Sequence, residues 1–165
     1  MDRIEFKPLT YSDLADVKRI YDYYIQNSTA TFHTEPVDID ELASVIPISH
    51  SRYSSFLILC DSNVVGYCYS TYYKNRQAYN RTAEVTVYLA PDFVGRGIGS
   101  KALKMMEEES RKVGIFVLLG VISGENSESL ALFSKLGYEQ CAHFRRVGEK
   151  FGRILDVLVL QKELK

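Results

Sequence analysis

The sequence predicts a mixed α/β (α+β) fold built on a largely antiparallel sheet. Apolar residues at helical spacing separate stretches in which apolar and polar residues alternate, and short turn-rich segments join pairs of these alternating stretches. The predicted order is strand, helices, three strands, helix, strand, helix and two strands, without repeats or a linker. With 165 residues, 46% of them hydrophobic, we expect one domain over residues 1–165 that buries a core and still forms a cleft.

The first half of the chain supplies a strand, two helices and a hairpin. Residues 4–9 alternate as a short strand, and Thr10 and Asp13 form a capping-box-like start to an apolar-periodic helix that reaches Ile25. A turn-rich segment containing a proline separates this helix from a second, short helix over residues 39–48. The stretch FLILCDSNVVGYCYSTYY has two β-rich runs about Asp-Ser-Asn, which predicts a hairpin.

The second half begins with a strand over residues 82–90, TAEVTVYLA. Its alternation places Glu84, Thr86 and Tyr88 on a polar face and the apolar side chains on a core face. After a glycine-rich loop and a helix comes IFVLLGVI, a nearly continuous apolar run that is typical of a strand covered on both faces. A helix over residues 126–135 then ends before a glycine, and the segments flanking VGEKFGR predict a final hairpin.

Charge and hydropathy exclude several classes of partner. Lys and Arg total 20 against 21 Asp and Glu, and the net charge of −1 gives no overall field for nucleic acid or an anionic membrane. The N-terminal segment MDRIEFKPLT has early charges and lacks the apolar centre of a signal peptide, and no run of about 18 apolar residues occurs. We therefore expect a cytoplasmic protein that binds neither nucleic acid nor membrane.

The cysteines and histidines do not predict a metal site. Cys60, Cys68 and Cys141 lack C-x-x-C spacing, and the first two lie in apolar, strand-like runs. Buried free thiols in a reducing compartment are the favoured interpretation. The three histidines are scattered along the chain, so we expect no metal.

The stretch FVGRGIGSKAL, residues 93–103, lies between a predicted strand and the start of a helix. Free backbone N–H groups and the positive end of the helix dipole form an anion site there, and glycines let a phosphate approach closely. A Walker loop is excluded because Val94 stands where its first glycine is required, and Gly99 is followed by Ser-Lys. A dinucleotide fingerprint is excluded because Ser100 replaces its third glycine and no acidic residue lies about 20 positions on.

Several blocks in order resemble one family. The stretch VYLAPDFVGRGIGSKAL resembles the strand, pyrophosphate loop and helix of the acetyl-CoA-dependent N-acetyltransferases of the GNAT superfamily, and NSESLALFSKLGY resembles its next motif. STATFHTEP, KNRQAYNRTAEVTVYLAP and VGEKFGRILDV are similar to signatures of its branch of phosphinothricin and related L-amino-acid N-acetyltransferases. This resemblance covers almost the whole chain. It implies a central mixed, mainly antiparallel seven-stranded sheet, splayed between strands 4 and 5 and flanked by about four helices.

The resemblance also implies acetyl-CoA as the co-substrate. The implied coenzyme-binding residues are Val87, Tyr88, Leu89, Gly95, Arg96, Gly97, Ile98, Gly99, Ser100 and Asn126. Family members usually have Gln or Arg at the position of Val94, so one side-chain support of the loop is missing while its backbone N–H cradle can survive. Asn126 is also suited to be a helix N-cap.

Glu84 is the candidate general base. An α-amine is mostly protonated near neutral pH, and only the neutral amine attacks a thioester. The resemblance places the catalytic glutamate in the TAE triplet, and the strand alternation puts Glu84 on the polar face. Because an ordinary Glu pKa of about 4.3 is low for this task, we expect partial burial among tyrosines or relay through a water. The alternative is a solvated glutamate or an ion pair with Arg81.

The general acid of the family has no counterpart in this sequence. Its position, usually Tyr or His, is occupied by Phe133, which cannot donate a proton. Either a water or a neighbouring hydroxyl such as that of Tyr138 replaces it, or the thiolate departs without help because its pKa is modest. The oxyanion of the tetrahedral intermediate would accept from a backbone N–H near Tyr88 or Leu89.

The resemblance implies a small amine, such as an amino acid, as acceptor. The implied acceptor-binding residues are Phe32, Lys74, Arg76, Tyr79 and Tyr88, a set of cations and aromatics that suits a free amino acid or analogue. No activated Cys or Ser constellation exists, so direct transfer without a metal is expected. The alternatives are a protein N-terminus, a polyamine or an aminoglycoside as acceptor, or a non-catalytic acyl-CoA-binding module. Because relatives of this type commonly form homodimers, the resemblance also implies a homodimer.

Overall fold

The computed structural model describes residues 2–165, which form seven strands and four helices. In chain order these are β1 Ile4–Pro8, α1 Leu14–Asn27, α2 Ile39–Val45, β2 Ser55–Cys60, β3 Asn63–Tyr72, β4 Thr82–Leu89, α3 Ile98–Lys112, β5 Val117–Ser123, α4 Ser127–Lys135, β6 Glu139–Lys150 and β7 Arg153–Glu163. All seven strands join one sheet in the order β1-β2-β3-β4-β5-β7-β6. Every neighbouring pair is antiparallel except β4 and β5. The predicted mixed, mainly antiparallel sheet is therefore confirmed.

Both predicted hairpins are present, and their turns have the same backbone geometry. Asp61 and Ser62, between β2 and β3, have φ values of 49° and 70°. Phe151 and Gly152, between β6 and β7, have φ values of 54° and 72°. Two successive residues with positive φ match the right-handed twist of the flanking strands, which is why two-residue loops of this kind join hairpins.

Apolar side chains pack on both faces of the sheet. The larger cluster lies under α3 and α4 and includes Ala102, Leu103 and Met106, which are fully buried. The smaller cluster lies between the sheet and helices α1 and α2, and it includes Leu14 and Val17. Neighbouring strand residues contribute to opposite clusters, as the two-residue period of a strand requires. β3 and β4 lie between the two clusters, so their side chains are positioned from both sides.

Three local predictions differ from the structure. α2 ends at Val45 rather than near residue 48, because Ile46 is extended (φ −88°, ψ 116°) and precedes a proline, which disfavours a helical conformation. β5 is not covered on both faces, since Val121 is 51% exposed where the sheet opens. Cys141 is exposed on β6, although Cys60 and Cys68 are buried as expected. Among residues 2–165 no helix is both long and apolar enough to cross a membrane.

Candidate active site

The sheet opens between β4 and β5, as the resemblance implied. The two strands pair only from Thr82 to Glu84, opposite residues 117–119, and they diverge beyond this point. A cavity of about 600 Å³ occupies the gap. Its walls come from the second half of β4, the glycine-rich loop, the second half of β5, α4 and the end of α1 with the segment that follows it. The cavity thus has a narrow end near Glu84 and a wide end at the loop.

Unpaired backbone groups of β4 face this gap. The Arg81 carbonyl accepts from N–H groups at the start of β5, whereas the Ala90 N–H donates to a carbonyl of β3. Backbone groups alternate along a strand, so those of Val85, Val87 and Leu89 point toward β5, where no partner strand is paired. An extended ligand with amide groups can form strand-like hydrogen bonds with these residues.

The direction of the backbone N–H groups in β4 decides which of the two predicted oxyanion donors, Tyr88 or Leu89, faces the gap. Tyr88 pairs with Tyr67 of β3, and the alternation turns its N–H away from the gap. The N–H of Leu89 points into the gap, and the Tyr24 hydroxyl donates to the Leu89 carbonyl. Of the two predicted positions, Leu89 therefore has a backbone donor that can reach a ligand in the cavity.

The glycine-rich loop has a backbone conformation that favours glycine at two positions. Gly95 and Gly97 have φ values of 81° and 79°, and a Cβ built at either position would have no neighbour within 4 Å. Gly97 is the N-cap of α3 and provides no side-chain acceptor, so the first N–H groups of this helix are free. Free N–H groups at the positive end of a helix dipole form an anion site. Gly99 differs, because its Cβ would lie 3.0 Å from Leu132 of α4.

Most of the predicted coenzyme residues line the cavity. They are Val87, Tyr88, Leu89, Gly95, Gly97, Gly99, Ser100 and Asn126. Asn126 lines the cavity and is also the N-cap of α4, as anticipated, because its side chain accepts from the Ser129 N–H (3.2 Å). Arg96 and Ile98 do not line the cavity. The Arg96 guanidinium lies over the Phe93 ring (4.7 Å), and the Ile98 side chain is buried in the core.

Glu84 is half-buried, and it is the last β4 residue paired with β5, directly next to the narrow end of the cavity. It shares a strand face with Thr86 and Tyr88, which line the cavity, although Glu84 itself is not part of the lining. Burial raises the pKa of its carboxyl above the usual 4.5. Among residues 2–165 Glu84 forms no salt bridge, so the ion pair with Arg81 is absent. A partly desolvated carboxylate without a cation is suited to accept a proton.

A layer of five tyrosines, which we call the tyrosine layer, covers the Glu84 face. Tyr21 and Tyr24 come from α1, Tyr67 and Tyr69 from β3, and Tyr88 from β4. Tyr88 is central, with ring centroids at 5.5 Å from Tyr21, 5.1 Å from Tyr24 and 5.6 Å from Tyr67. Burial raises the pKa of Tyr24 and of Tyr69 to about 12, so both hydroxyls stay protonated and neutral. The sequence showed 12 tyrosines but not that five meet here.

Phe133 occupies the place where the family has its acid. It lines the cavity, and its ring lies so close to Gly120 that a Cβ there would be 2.5 Å away. Tyr138 packs against this ring at 4.8 Å but is only 3% exposed and lies outside the cavity lining. Its pKa is raised by burial and by the neighbouring Glu107 carboxylate. Tyr138 is therefore poorly placed to protonate a leaving group in the cavity.

The predicted acceptor residues do not form one cluster. Tyr88 lines the cavity, and its hydroxyl donates to the Ala30 carbonyl (3.3 Å). Phe32 is half-buried, and its ring packs on Gly148 of β6. The other three residues lie exposed in the connection between β3 and β4 and do not line the cavity; they are Lys74, Arg76 and Tyr79.

One group of side chains in residues 2–165 could hold a metal ion. Its members are Asp2, Cys60 and Asp61, whose donor atoms lie within 4.8 Å of one another. None of the three lines the cavity. The group is therefore separate from the candidate active site.

Comparisons with known proteins agree with this geometry. The model of the acetyltransferase (GNAT) family matches residues 17–138. The chain is 30% identical over 154 residues to the phosphinothricin N-acetyltransferase of Alcaligenes faecalis, covering 92% of this chain and 78% of that protein. It is also 30% identical to the L-amino acid N-acyltransferase MnaT of Escherichia coli (strain K12), covering 93% of this chain and 90% of that protein.

A solved structure shows the same fold. The phosphinothricin acetyltransferase from Sinorhizobium meliloti, in complex with AcCoA, is 28% identical, with a TM-score of 0.89 over 99% of this chain and 88% of that chain. Its sequence similarity and fold support the same assignment as the family match, which spans most of this chain. The chain therefore belongs to the GNAT family of acetyltransferases.

Proposed function

We propose that this protein transfers the acetyl group of acetyl-CoA directly to the α-amine of a small amino acid or analogue, as a single domain over residues 1–165. One observation carries the proposal: a half-buried, unpaired Glu84 lies at the narrow end of a cavity whose wide end is a glycine-rich anion site. The anion site suits the pyrophosphate of acetyl-CoA, and a base is needed to deprotonate the ammonium of the acceptor. The names of the relatives, which refer to phosphinothricin and L-amino acids, support the same substrate class.

The loop and β4 would hold the coenzyme. Free N–H groups at the start of α3 suit the pyrophosphate, and the open space beside Gly95 and Gly97 leaves room for its oxygens. The gap-facing backbone groups of Val85, Val87 and Leu89 suit the amides of the pantetheine arm. The cavity is also large enough for this slender chain.

The residues at the narrow end would carry out the transfer. Glu84 takes a proton from the ammonium of the acceptor, and the freed amine attacks the thioester carbon. A C–N bond forms, the oxyanion accepts from a gap-facing backbone N–H of β4, the attacking nitrogen gives up a second proton to water, and the C–S bond then breaks. The thiolate of coenzyme A leaves and takes a proton from solvent, while Glu84 releases its proton to water. The tyrosine layer keeps Glu84 partly desolvated, and neither a metal nor an acyl-enzyme takes part.

A panel of amines tests the proposal. Protein is mixed with acetyl-CoA and each of phosphinothricin, methionine sulfone, aromatic amino acids, a peptide with a free N-terminus, spermidine and an aminoglycoside, and thiol release is followed. We expect turnover with at least one free amino acid or analogue. Turnover only with the peptide, spermidine or the aminoglycoside would contradict an amino-acid acceptor and identify the other class as the acceptor. Coenzyme binding without turnover on any amine would indicate a non-catalytic acyl-CoA-binding module.

We propose that the protein forms a homodimer through β6. This strand is an edge of the sheet and exposes Phe144 and Val147, at 51% and 58%, and Ile154 of the neighbouring β7 is also exposed. An edge strand with exposed apolar side chains is a surface that other chains can pair with. Sedimentation velocity should give twice the mass of the chain, and Phe144→Lys should give the monomer mass. A monomeric wild type would contradict this proposal.

A cytoplasmic location is proposed for the same protein. Cys60 and Cys68 are buried free thiols, and Cys141 is an exposed free thiol. Free thiols of this kind persist in a reducing compartment.

A further inference from the structure

Lys150, the last residue of β6, is a buried cation that has no part in the proposed transfer. Lys150 is only 3% exposed. The acceptors that its ammonium has among residues 2–165 are all backbone carbonyls: Ser28 at 2.6 Å, Thr31 at 2.8 Å and Tyr24 at 3.5 Å. A buried ammonium without a carboxylate is costly unless each N–H finds an acceptor, and here three N–H groups have three acceptors.

These carbonyls belong to the end of α1 and the residues that follow it. α1 ends at Asn27, and the carbonyls of the last turn of a helix lack partners within the helix. A cation at this end also interacts favourably with the helix dipole. Lys150 therefore connects the β6–β7 hairpin to residues 28–32, which we call the 28–32 segment.

The 28–32 segment forms part of the cavity wall, and it contacts both β4 and the residues that precede α4. Ser28 and Ala30 line the cavity, and the Ala30 carbonyl accepts from Tyr88. Phe32, a predicted acceptor residue, packs on Gly148 two residues before Lys150. Thr29 donates to Glu125, which precedes the cavity residue Asn126. The position of this segment therefore sets the wall that an acceptor would meet.

We propose that Lys150 is a positioning residue, which fixes the 28–32 segment as the acceptor-side wall of the cavity. The kinetic effect of replacing Lys150 rests on the proposed function, whereas the effect on the position of the 28–32 segment does not. Without the ammonium, the shielded carbonyls of Ser28 and Thr31 lose this donor, whereas the Tyr24 carbonyl keeps the Ser28 N–H. The 28–32 segment can then hydrogen-bond these two carbonyls to water only by moving outward. The anion site of the glycine-rich loop does not depend on this segment, because α3 and β4 support it.

Lys150→Met tests this proposal, because Met keeps the apolar stem and removes the ammonium. We expect the KM for the acceptor to rise roughly 10-fold, while the KM for acetyl-CoA stays within about twofold of the wild type. Lys18→Met is the matched control. Lys18 also donates to a loop carbonyl, that of Val37 at 2.8 Å, but neither residue lines the cavity. Lys18→Met should leave the KM values for the acceptor and for acetyl-CoA unchanged. A general loss of stability would instead change these KM values to a similar extent in Lys150→Met and Lys18→Met.

Hydrogen exchange separates failure of this proposal from failure of the proposed function. The Ala30 and His33 amides donate to Ser28 Oγ and Thr31 Oγ1, and both should exchange faster in Lys150→Met while the Ile20 amide within α1 is unchanged. If the wild type acetylates no amine, the proposed function fails and exchange alone decides the role of Lys150. Unchanged exchange together with an unchanged acceptor KM overturns the proposal.

A second variant covers the case in which Lys150→Met does not fold. Lys150→Gln keeps N–H donors without the charge and should show the same changes at smaller amplitude. If neither variant folds, exchange in the wild type decides: Ala30 and His33 should be protected, and exchange there at the rate of an unstructured peptide overturns the proposal.

Discussion

Glu84→Gln is expected to lower kcat by about 100-fold or more, the usual effect of removing a general base. Glutamine has the same shape but cannot take the proton of the acceptor ammonium, so the fraction of attacking amine falls. The affinity for acetyl-CoA should be unchanged, because the glycine-rich loop and β4 backbone that would hold it are not altered. Thiol release measures kcat, and calorimetric titration measures the affinity.

Glu128→Gln is the control for Glu84→Gln, because Glu128 is a glutamate that lines the cavity but lies on α4. It should keep kcat close to the wild-type value. An undiminished kcat in Glu84→Gln, or an equal loss in both variants, would contradict the role of Glu84.

Glu84→Gln should also unfold at a higher temperature than the wild type at neutral pH. Burial raises the pKa of Glu84 in the folded protein above 4.5, so the fold favours its protonated form. The stability associated with this group is fully present below the usual pKa and is lost as pH rises through the folded pKa. Glutamine never ionises and avoids that loss. Melting temperatures of the two proteins should therefore agree near pH 4 and separate in favour of Glu84→Gln by pH 7.

Gly97→Val is expected to weaken acetyl-CoA binding by at least about 100-fold, which corresponds to roughly 3 kcal/mol, or two lost charge-assisted hydrogen bonds. The φ of 79° at Gly97 costs a β-branched residue about 1–2 kcal/mol, so the loop relaxes and its N–H groups no longer converge. The new side chain also enters the open space beside the loop, where the pyrophosphate would lie. Calorimetric titration with acetyl-CoA measures the loss.

Gly114→Val separates backbone strain from the loss of the anion site. Gly114 follows α3 and has a φ of 78°, and a Cβ there would also have no neighbour within 4 Å. The strain is therefore matched, but Gly114 does not line the cavity. Its affinity for acetyl-CoA should equal that of the wild type. Normal affinity in Gly97→Val would refute the anion site at this loop.

The sequence predicted features that depend on local spacing. The alternation in TAEVTVYLA placed Glu84 on the face that the tyrosine layer covers, and Asn126 was recognised as an N-cap. Both depend on a few neighbouring residues, because strand alternation and helix capping are local properties. The splay between β4 and β5 was known only through the family resemblance, since no local pattern encodes where two strands separate.

Features that depend on distant segments could not be predicted. Lys150 contacts carbonyls that lie 119 to 126 positions earlier, and its position in the sequence is that of an ordinary hairpin lysine. The tyrosine layer joins α1, β3 and β4, whereas a sequence shows only that tyrosines are frequent. Val121 was expected to be covered because an apolar run does not reveal that one side of a strand borders a cavity.

The separation of β4 from β5 also bears on solubility. Most sheets leave unpaired backbone groups only at their two outer margins, where a foreign polypeptide can add and begin aggregation. Here a second set of such groups lies inside the sheet, yet α4 and the 28–32 segment flank it. The protein thus keeps this set of unpaired backbone groups between packed elements, away from the outer edges of the sheet where another chain could add.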